Sequence, residues 1–215
     1  YADEISNRKL RPYITYPQGN FASPVFHGER PDPMPHYEMT GNPVSIDFSE
    51  QSPPVKMRSF KLYRDTKEIR DVKILDKDND PNRLLTERQF ALFPLQPLEY
   101  DTDYRAVFEY RQNGKDRTAE WTFSTQKPDY PYFIVKGGET LAIESGQKYF
   151  IHWQDFWCLK QCERYNYRMN RDTQLDIIER QAGGIIIRVN GSKGSSIRLM
   201  PEGEDRRAIT LYLWK

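Results

Sequence analysis

Apolar and polar side chains alternate with a period of two residues along most of this chain, and this pattern constrains the fold more than any other feature. The alternating runs include 44–48, 104–110 and 121–123. Successive side chains of a strand point to opposite faces, so each run predicts a strand with one face on a core and the other in water. The sequence therefore predicts an all-β protein of antiparallel strands.

Turn residues separate these runs, since the chain contains 15 prolines and 12 glycines. Asn113-Gly114 lies between two alternating runs and is the residue pair that reverses a tight hairpin. Gly183-Gly184 and residues 191–196 are likewise predicted to be hairpin turns. Residues 90–93 are predicted to form a strand, although the residues before them have the spacing of a helix capping box.

The alternation stops at 126–131, where two prolines fall within four residues. We take this break as a domain boundary. It divides the chain into an N-terminal extension (1–15), a β-sandwich with a proline-rich lead-in (16–127) and a second β-sandwich or barrel (128–215). The lead-in, 16–41, is expected to be extended because proline disfavours helix at and before its own position.

Charge and hydropathy exclude two classes of partner. The formal net charge is +1, so no overall field attracts a nucleic acid, and we expect none as a partner. No apolar run approaches the roughly 18–20 residues that span a bilayer, so no transmembrane segment is expected.

A long aromatic and basic insertion, 155–172, interrupts the second domain and contains both cysteines, Cys158 and Cys162. A bridge between them would close a short loop, and we predict this disulfide. Two free thiols and part of a metal site are the alternatives. With only three histidines in the chain, a zinc site is not favoured, and no metal or other cofactor is expected.

Aromatic rings and cations are concentrated in this insertion and beside it. They are Trp153, Trp157, Lys160, Arg164, Tyr165, Tyr167, Arg168 and Arg171. Rings interleaved with cations suit sugar rings or anionic glycans, through stacking and charge-assisted hydrogen bonds. The alternative is that the rings pin the insertion onto its own sandwich while the charges are solvated.

Other groups with possible chemistry are less specific. Asp76, Asp78, Asp80 and Glu87 have the spacing of a calcium loop, but Pro81 stands where that loop needs glycine. We expect a turn whose side chains bond their own backbone, and calcium binding in another geometry stays open.

Nucleophilic catalysis is not expected. His152 and Cys158 lie six residues apart, but no third group to orient them is recognisable. The alternation predicts that His152 faces solvent or a neighbouring strand. We therefore predict that the chain is not an enzyme.

Four blocks of the first domain follow one another in a recognisable order. They are Tyr16-Pro17-Gln18-Gly19, 41–48, 90–95 with Leu98, Thr102 and Tyr104, and 121–125. This order resembles the bacterial immunoglobulin-like domain of surface proteins, in which a Pro-x-x-x-Leu turn leads into a Thr-x-Tyr strand. The resemblance implies an immunoglobulin-like first sandwich. It makes Tyr104 a candidate structural tyrosine, with a buried ring and a hydroxyl bonded to the preceding loop.

Residues 74–82 and 89–95, with 10–12, 16–17 and 28–33, are similar to a region of bacterial secreted proteins. It is the region that follows the domain of the cysteine-rich secretory, antigen and pathogenesis-related (CAP) superfamily. The CAP domain itself is absent from this sequence, so none of its residues can be carried over. The resemblance implies a periplasmic or cell-surface location and a spacer or binding role.

These observations predict a non-catalytic, extracytoplasmic accessory or spacer module. One alternative is a carbohydrate-binding or cell-wall-binding module that uses the aromatic and basic insertion. The other is a protein-interaction or adhesion subunit with an envelope protein as its partner.

Overall fold

The computed structural model describes residues 12–154, 156–157, 164–169, 172–181 and 183–215. Over these residues the regular structure consists of strands and one short 3₁₀ helix, Asp205–Arg207. The fold is all-β, as the alternation predicts. Among the described residues, no helix is long and apolar enough to cross a bilayer.

The chain divides into two compact units, 1–127 (unit 1) and 128–215 (unit 2). Each unit is a β-sandwich with a core of its own.

Unit 1 is built from eleven strands in its described part. They are β1 (Tyr13–Tyr16), β2 (Gly19–Ala22), β3 (Val25–Phe26), β4 (Thr40–Gly41), β5 (Val44–Phe48), β6 (Lys56–Arg64), β7 (Lys67–Ile69), β8 (Val72–Leu75), β9 (Gln89–Pro94), β10 (Asp103–Gln112) and β11 (Lys115–Thr125). Strand β1 begins inside the segment assigned above to the N-terminal extension and pairs with β5.

Two sheets of unit 1 enclose the core, with strand orders β1-β5-β9-β8 and β2-β11-β10-β6-β7. This arrangement is that of an immunoglobulin domain. The inward residues of both sheets are buried; Leu62, Leu92 and Phe108 are 0% exposed. Residues 90–93 lie in β9 and form a strand, not a helix.

Asn113-Gly114 turns β10 into β11, and both residues have positive φ, 52° and 73°. This backbone conformation is the one that a two-residue hairpin with right-handed strand twist requires. The hairpin carries a ladder that runs from Gln112 opposite Lys115 to Asp103 opposite Ser124.

The proline-rich lead-in lies along the sandwich as an extended segment with short strands. Met34, which is 1% exposed, packs with Leu75 and Phe93 in a separate small cluster. The Asn82 side chain donates to the Asp32 carbonyl at 2.8 Å and ties the lead-in to the turn after β8.

Unit 2 is built from eight strands in its described part. They are β12 (Tyr132–Val135), β13 (Thr140–Ile143), β14 (Lys148–Trp153), β15 (Tyr165–Met169), β16 (Thr173–Gln181), β17 (Gly184–Gly191), β18 (Ser196–Pro201) and β19 (Ile209–Leu213).

The two sheets of unit 2 have orders β12-β14-β17-β16 and β13-β19-β18-β15. If β3, β4 and β7 are left out, unit 1 also has eight strands. Counted in chain order, one sheet of each unit then has the order first-third-sixth-fifth, and the other sheet has the order second-eighth-seventh-fourth. Unit 2 is therefore a second immunoglobulin-like sandwich, and the barrel alternative is not the observed architecture. In each unit the second of these strands pairs in parallel with the last, β2 with β11 and β13 with β19.

Two expectations about unit 2 were wrong. The insertion 155–172 contains a strand, β15, which pairs with β18 over five residues. Residues 191–196 do not form a hairpin, because they connect β17 to β18, which belong to different sheets. By contrast, Gly183-Gly184 lies where β16 turns into its partner β17, and Gly184 is the first residue of β17.

Candidate binding face of unit 2

One face of the sheet β13-β19-β18-β15 is turned away from the core. Ile197, Leu199 and Leu211 point inward and are at most 1% exposed. The residues between them point outward because side chains alternate along a strand. We use the name outer face for Thr140, Arg168, Arg198, Thr210, Tyr212 and Trp214.

Strand pairing fixes how these residues are arranged. Arg168 lies directly opposite Arg198, Arg198 opposite Thr210, and Thr210 opposite Thr140, which forms one row across four strands. Tyr212 lies in the next row, between Ser196 and Ala142. The face is thus basic at the β15 edge and hydroxyl-bearing towards β13.

Two aromatic rings stand on the outer face. Tyr212 is 39% exposed and Trp214 is 44% exposed. Trp214 directly follows β19, and its amide still donates to Ile143 at 3.2 Å, so the alternation continues to this residue. The Lys215 ammonium lies 5.1 Å from the centroid of the Trp214 ring. The rings and guanidinium groups can stack on and donate to a ligand without covalent chemistry.

The structure separates the residues that the sequence grouped as a ligand-binding cluster. Trp153 is 0% exposed and lies in the core, where its indole N–H donates to the Arg207 carbonyl at 2.8 Å. It cannot contact a surface ligand. The side chain points inward because β14 places it on the same face as Tyr149 and Ile151.

Trp157 is half-buried against the outer side of β14. Its ring lies 4.7 Å from the His152 ring, measured between centroids. A Cβ on Gly183 would approach its Cζ3 to 2.5 Å, so the indole lies directly over this glycine. The contact fits the alternative in which an aromatic ring pins the insertion onto the sandwich.

His152 does not face solvent, because it is 0% exposed. Its Nδ1 donates to the Gly183 carbonyl, and its ring also lies near Phe150. The alternation correctly places His152 on the side of β14 that is turned away from the core. On that side the Trp157 ring covers it.

The remaining predicted residues lie on or near β15. Tyr165 packs against Trp153 at 5.7 Å between ring centroids, and burial raises the pKa of its hydroxyl to about 12, with Arg180 acting in the opposite direction. Tyr167 is 45% exposed, and Arg164 and Arg168 are exposed as well. Arg168 alone among these belongs to the outer face. Lys160, Arg171 and the predicted Cys158–Cys162 disulfide lie outside the described residues.

The acidic turn after β8 bonds to its own backbone. Asp76 accepts from the amides of Asp78 and Asn79 at 3.0 and 3.2 Å. Asp80 accepts from Leu84 and Leu85 at 2.7 and 2.9 Å and from Asn82 at 3.0 Å. Desolvation raises the pKa of Asp80, but these bonds together lower it below its ordinary value. Within the described ranges, no group of three His, Cys, Asp or Glu side chains could hold a metal ion.

The candidate structural tyrosine, Tyr104, is 3% exposed at the start of β10. Its hydroxyl accepts from the Glu99 amide at 2.9 Å, and its ring stacks on Phe123 at 5.5 Å between centroids. Unit 2 contains a second contact of this kind, in which Tyr149 accepts from the Glu144 amide at 3.0 Å. In both pairs four residues lie between the glutamate and the tyrosine, and this repeated Glu-x4-Tyr spacing was not recognised from the sequence.

Arg198, Tyr212 and Trp214 were also missed, although their signal is present in the sequence. Arg198 lies between Ile197 and Leu199, which are both buried. Tyr212 lies between two buried leucines in the same way. Their joint position depends on β18 pairing with β19, and Arg168 joins them only through the pairing of β15 with β18.

No family model matches the chain, and no curated protein sequence matches it. Solved structures with similar folds include a chimeric titin Z1Z2 tandem, 11% identical over 80% of this chain and 89% of the other, with a TM-score of 0.23. An I-band fragment from titin is 11% identical over 95% of this chain and 66% of the fragment, with a TM-score of 0.26.

A third similar structure contains domains 4 and 5 of the S-layer protein SbsC. It is 13% identical over 74% of this chain and 100% of the other, with a TM-score of 0.25. Identities and TM-scores this low carry no argument about function. The assignment of both units as immunoglobulin-like sandwiches rests on their strand order.

Proposed function

We propose that this protein is a non-catalytic module outside the cytoplasm, in which unit 2 binds a polysaccharide of the cell surface or cell wall through the outer face. Unit 1 serves as a spacer or structural body. The observation that carries the proposal is the exposure of Tyr212 and Trp214 on the same face as Arg168 and Arg198, on a sheet backed by a packed core.

The geometry suits a sugar chain better than a small molecule. Residues 212 and 214 are two apart on one strand, so their side chains are separated by about 6.5–7 Å along it. Aromatic rings stack on the apolar faces of sugars, and hydroxyl groups of Thr140 and Thr210 add hydrogen bonds. A sheet holds such positions more rigidly than a loop, which limits the entropy lost on binding.

Affinity electrophoresis through gels that contain cell-wall polysaccharides tests this proposal. We expect wild-type protein to be retarded and the double variant Tyr212→Ala plus Trp214→Ala to lose the retardation. The matched control is Phe21→Ala plus Tyr37→Ala, two aromatic residues of unit 1 that are 86% and 37% exposed.

Three results would contradict the proposal. One is no retardation of the wild type in any polysaccharide, and another is equal loss in the control. The third is stable co-purification with an envelope protein through the same two residues, since that would favour the adhesion alternative.

The accessory role beside a CAP domain rests on blocks that are largely structural. Phe90 and Leu92 belong to the core of unit 1, and Leu75 and Phe93 belong to its smaller cluster. These blocks therefore describe the sandwich itself, and the spacer role of unit 1 is proposed on the same basis. Fusing unit 2 alone to a reporter tests it: polysaccharide retention should persist without unit 1.

A further inference from the structure

Two arginines of the outer face form a like-charged pair. Arg168 on β15 and Arg198 on β18 are direct cross-strand partners, and both are exposed. Side chains directly opposite each other on neighbouring strands lie about 4.5–5.5 Å apart at Cβ, and like charges in that position destabilise a sheet. Within the described part of the chain, neither guanidinium has an acidic partner.

The opposite sheet of unit 2 also contains a like-charged pair, but there an acidic residue lies next to it. Lys148 and Arg188 are also direct cross-strand partners. There, Asp176 lies opposite Arg188 on the next strand, and its Oδ2 is 3.6 Å from the arginine Nε. The row on the outer face continues instead through Thr210 and Thr140, which carry no charge.

We infer that Arg168 and Arg198 form an anion subsite, and that the ligand of the outer face is an acidic polysaccharide. This inference rests on the proposed function. A carboxylate or phosphate of the polymer would take the place that Asp176 holds on the opposite sheet. Guanidinium groups remain charged at any physiological pH and donate in a planar fork that matches such oxyanions.

The neighbouring residues fit the same ligand. Tyr212 lies one row further along the sheet, next to the row of the arginines. An acidic sugar can therefore present its charged group to the guanidinium pair while a neighbouring sugar of the chain stacks on an aromatic ring. The subsite selects for charge, and the rings select for a sugar chain.

The test compares two polymers that share a backbone: polygalacturonate and its fully methyl-esterified form, which carries no charge. We expect the wild-type protein to bind the acid form at least about tenfold more tightly, with an affinity that falls as salt rises. Arg168→Gln plus Arg198→Gln should abolish this preference, because binding of the acid form should weaken far more than binding of the ester. Because the substitutions remove a repulsion, Tm should stay equal or rise.

The control variant is Arg58→Gln plus Arg111→Gln, which removes two exposed strand arginines from unit 1 and changes the net charge equally. It should keep the preference. Equal binding of both polymers by the wild type would overturn the anion subsite and leave the proposed function standing. Tighter binding of a single-stranded oligonucleotide than of polygalacturonate would overturn the assignment to a polysaccharide.

A second measurement separates the two proposals if no polymer binds. In an NMR titration with inorganic phosphate, the Nε–Hε signals of Arg168 and Arg198 should shift more than those of Arg58 and Arg111. That result would keep the anion subsite while the polysaccharide function fails. Equal shifts of all four arginines would overturn the subsite.

Discussion

At the scale of single residues, two tyrosine hydroxyls hold the backbone of a preceding loop, one in each unit. We predict that Tyr104→Phe lowers the free energy of unfolding of unit 1 by about 1–3 kcal/mol, because the buried Glu99 amide loses its acceptor. Urea denaturation monitored by circular dichroism measures the change. Tyr37→Phe, at an exposed ring, should stay within about 0.5 kcal/mol. Equal effects of the two substitutions would contradict the role of the Tyr104 hydroxyl.

Two tyrosines also make stability depend on alkaline pH. Burial raises the pKa of both Tyr104 and Tyr165 from 10.0 to about 12. Between these values the unfolded chain loses its phenolic protons while the folded chain keeps them. The free energy of unfolding should therefore decrease as pH rises from about 10 to about 12. Denaturant midpoints across this range test the sign. The loss should be smaller in Tyr104→Phe, and an unchanged loss would contradict the assignment to Tyr104.

Individual side chains also show the limit of period-two patterns. The alternation assigns Trp153 and His152 to opposite faces of β14, and the structure places them so. It does not reveal what covers the outer side of a strand, so a buried His152 could not be predicted without knowing where Trp157 lies. Trp153 was assigned to a ligand contact because it is aromatic and lies beside a basic insertion. Its alternation with Tyr149 and Ile151 already favoured the core.

At the scale of elements, most strands could be predicted because one of their faces is apolar. Strand β15 could not, because Asn166, Tyr167 and Arg168 are exposed and the strand lies at a sheet edge, so it lacks a clear apolar face. The repeated topology supplies the missing signal. The fourth of the eight shared strands is β6 in unit 1, so unit 2 should have a strand at the same place in its order, and this strand is β15. Only Arg168 joins the outer face through the pairing of β15 with β18, so the pair of arginines could not be predicted without it.

The contact between Trp157 and the β16–β17 turn provides a test at this scale. Gly183→Ala should destabilise unit 2 by about 1–3 kcal/mol, because the new methyl group would meet the indole at 2.5 Å. The displaced ring should show red-shifted fluorescence. In a Trp157→Leu background the same substitution should cost much less, which a double-mutant cycle measures. Additive effects would argue against the contact.

At the scale of the whole molecule, the two sandwiches have separate cores and the same strand order. We predict that 1–127 and 128–215, expressed separately, each fold with one cooperative thermal transition. Each should give a dispersed amide NMR spectrum. A unit that stays unfolded when produced alone would show that its core does not suffice.

The parallel pairing of an early strand with the last strand has a mechanical consequence for both units. If a pull is applied to the two ends of a sandwich, β2 and β11, or β13 and β19, are drawn past each other along their length. All hydrogen bonds of the ladder are then loaded together in shear, instead of breaking one after another as in unzipping. We therefore expect each unit to resist a pull on these two strands more strongly than a pull that opens the ladder from one end.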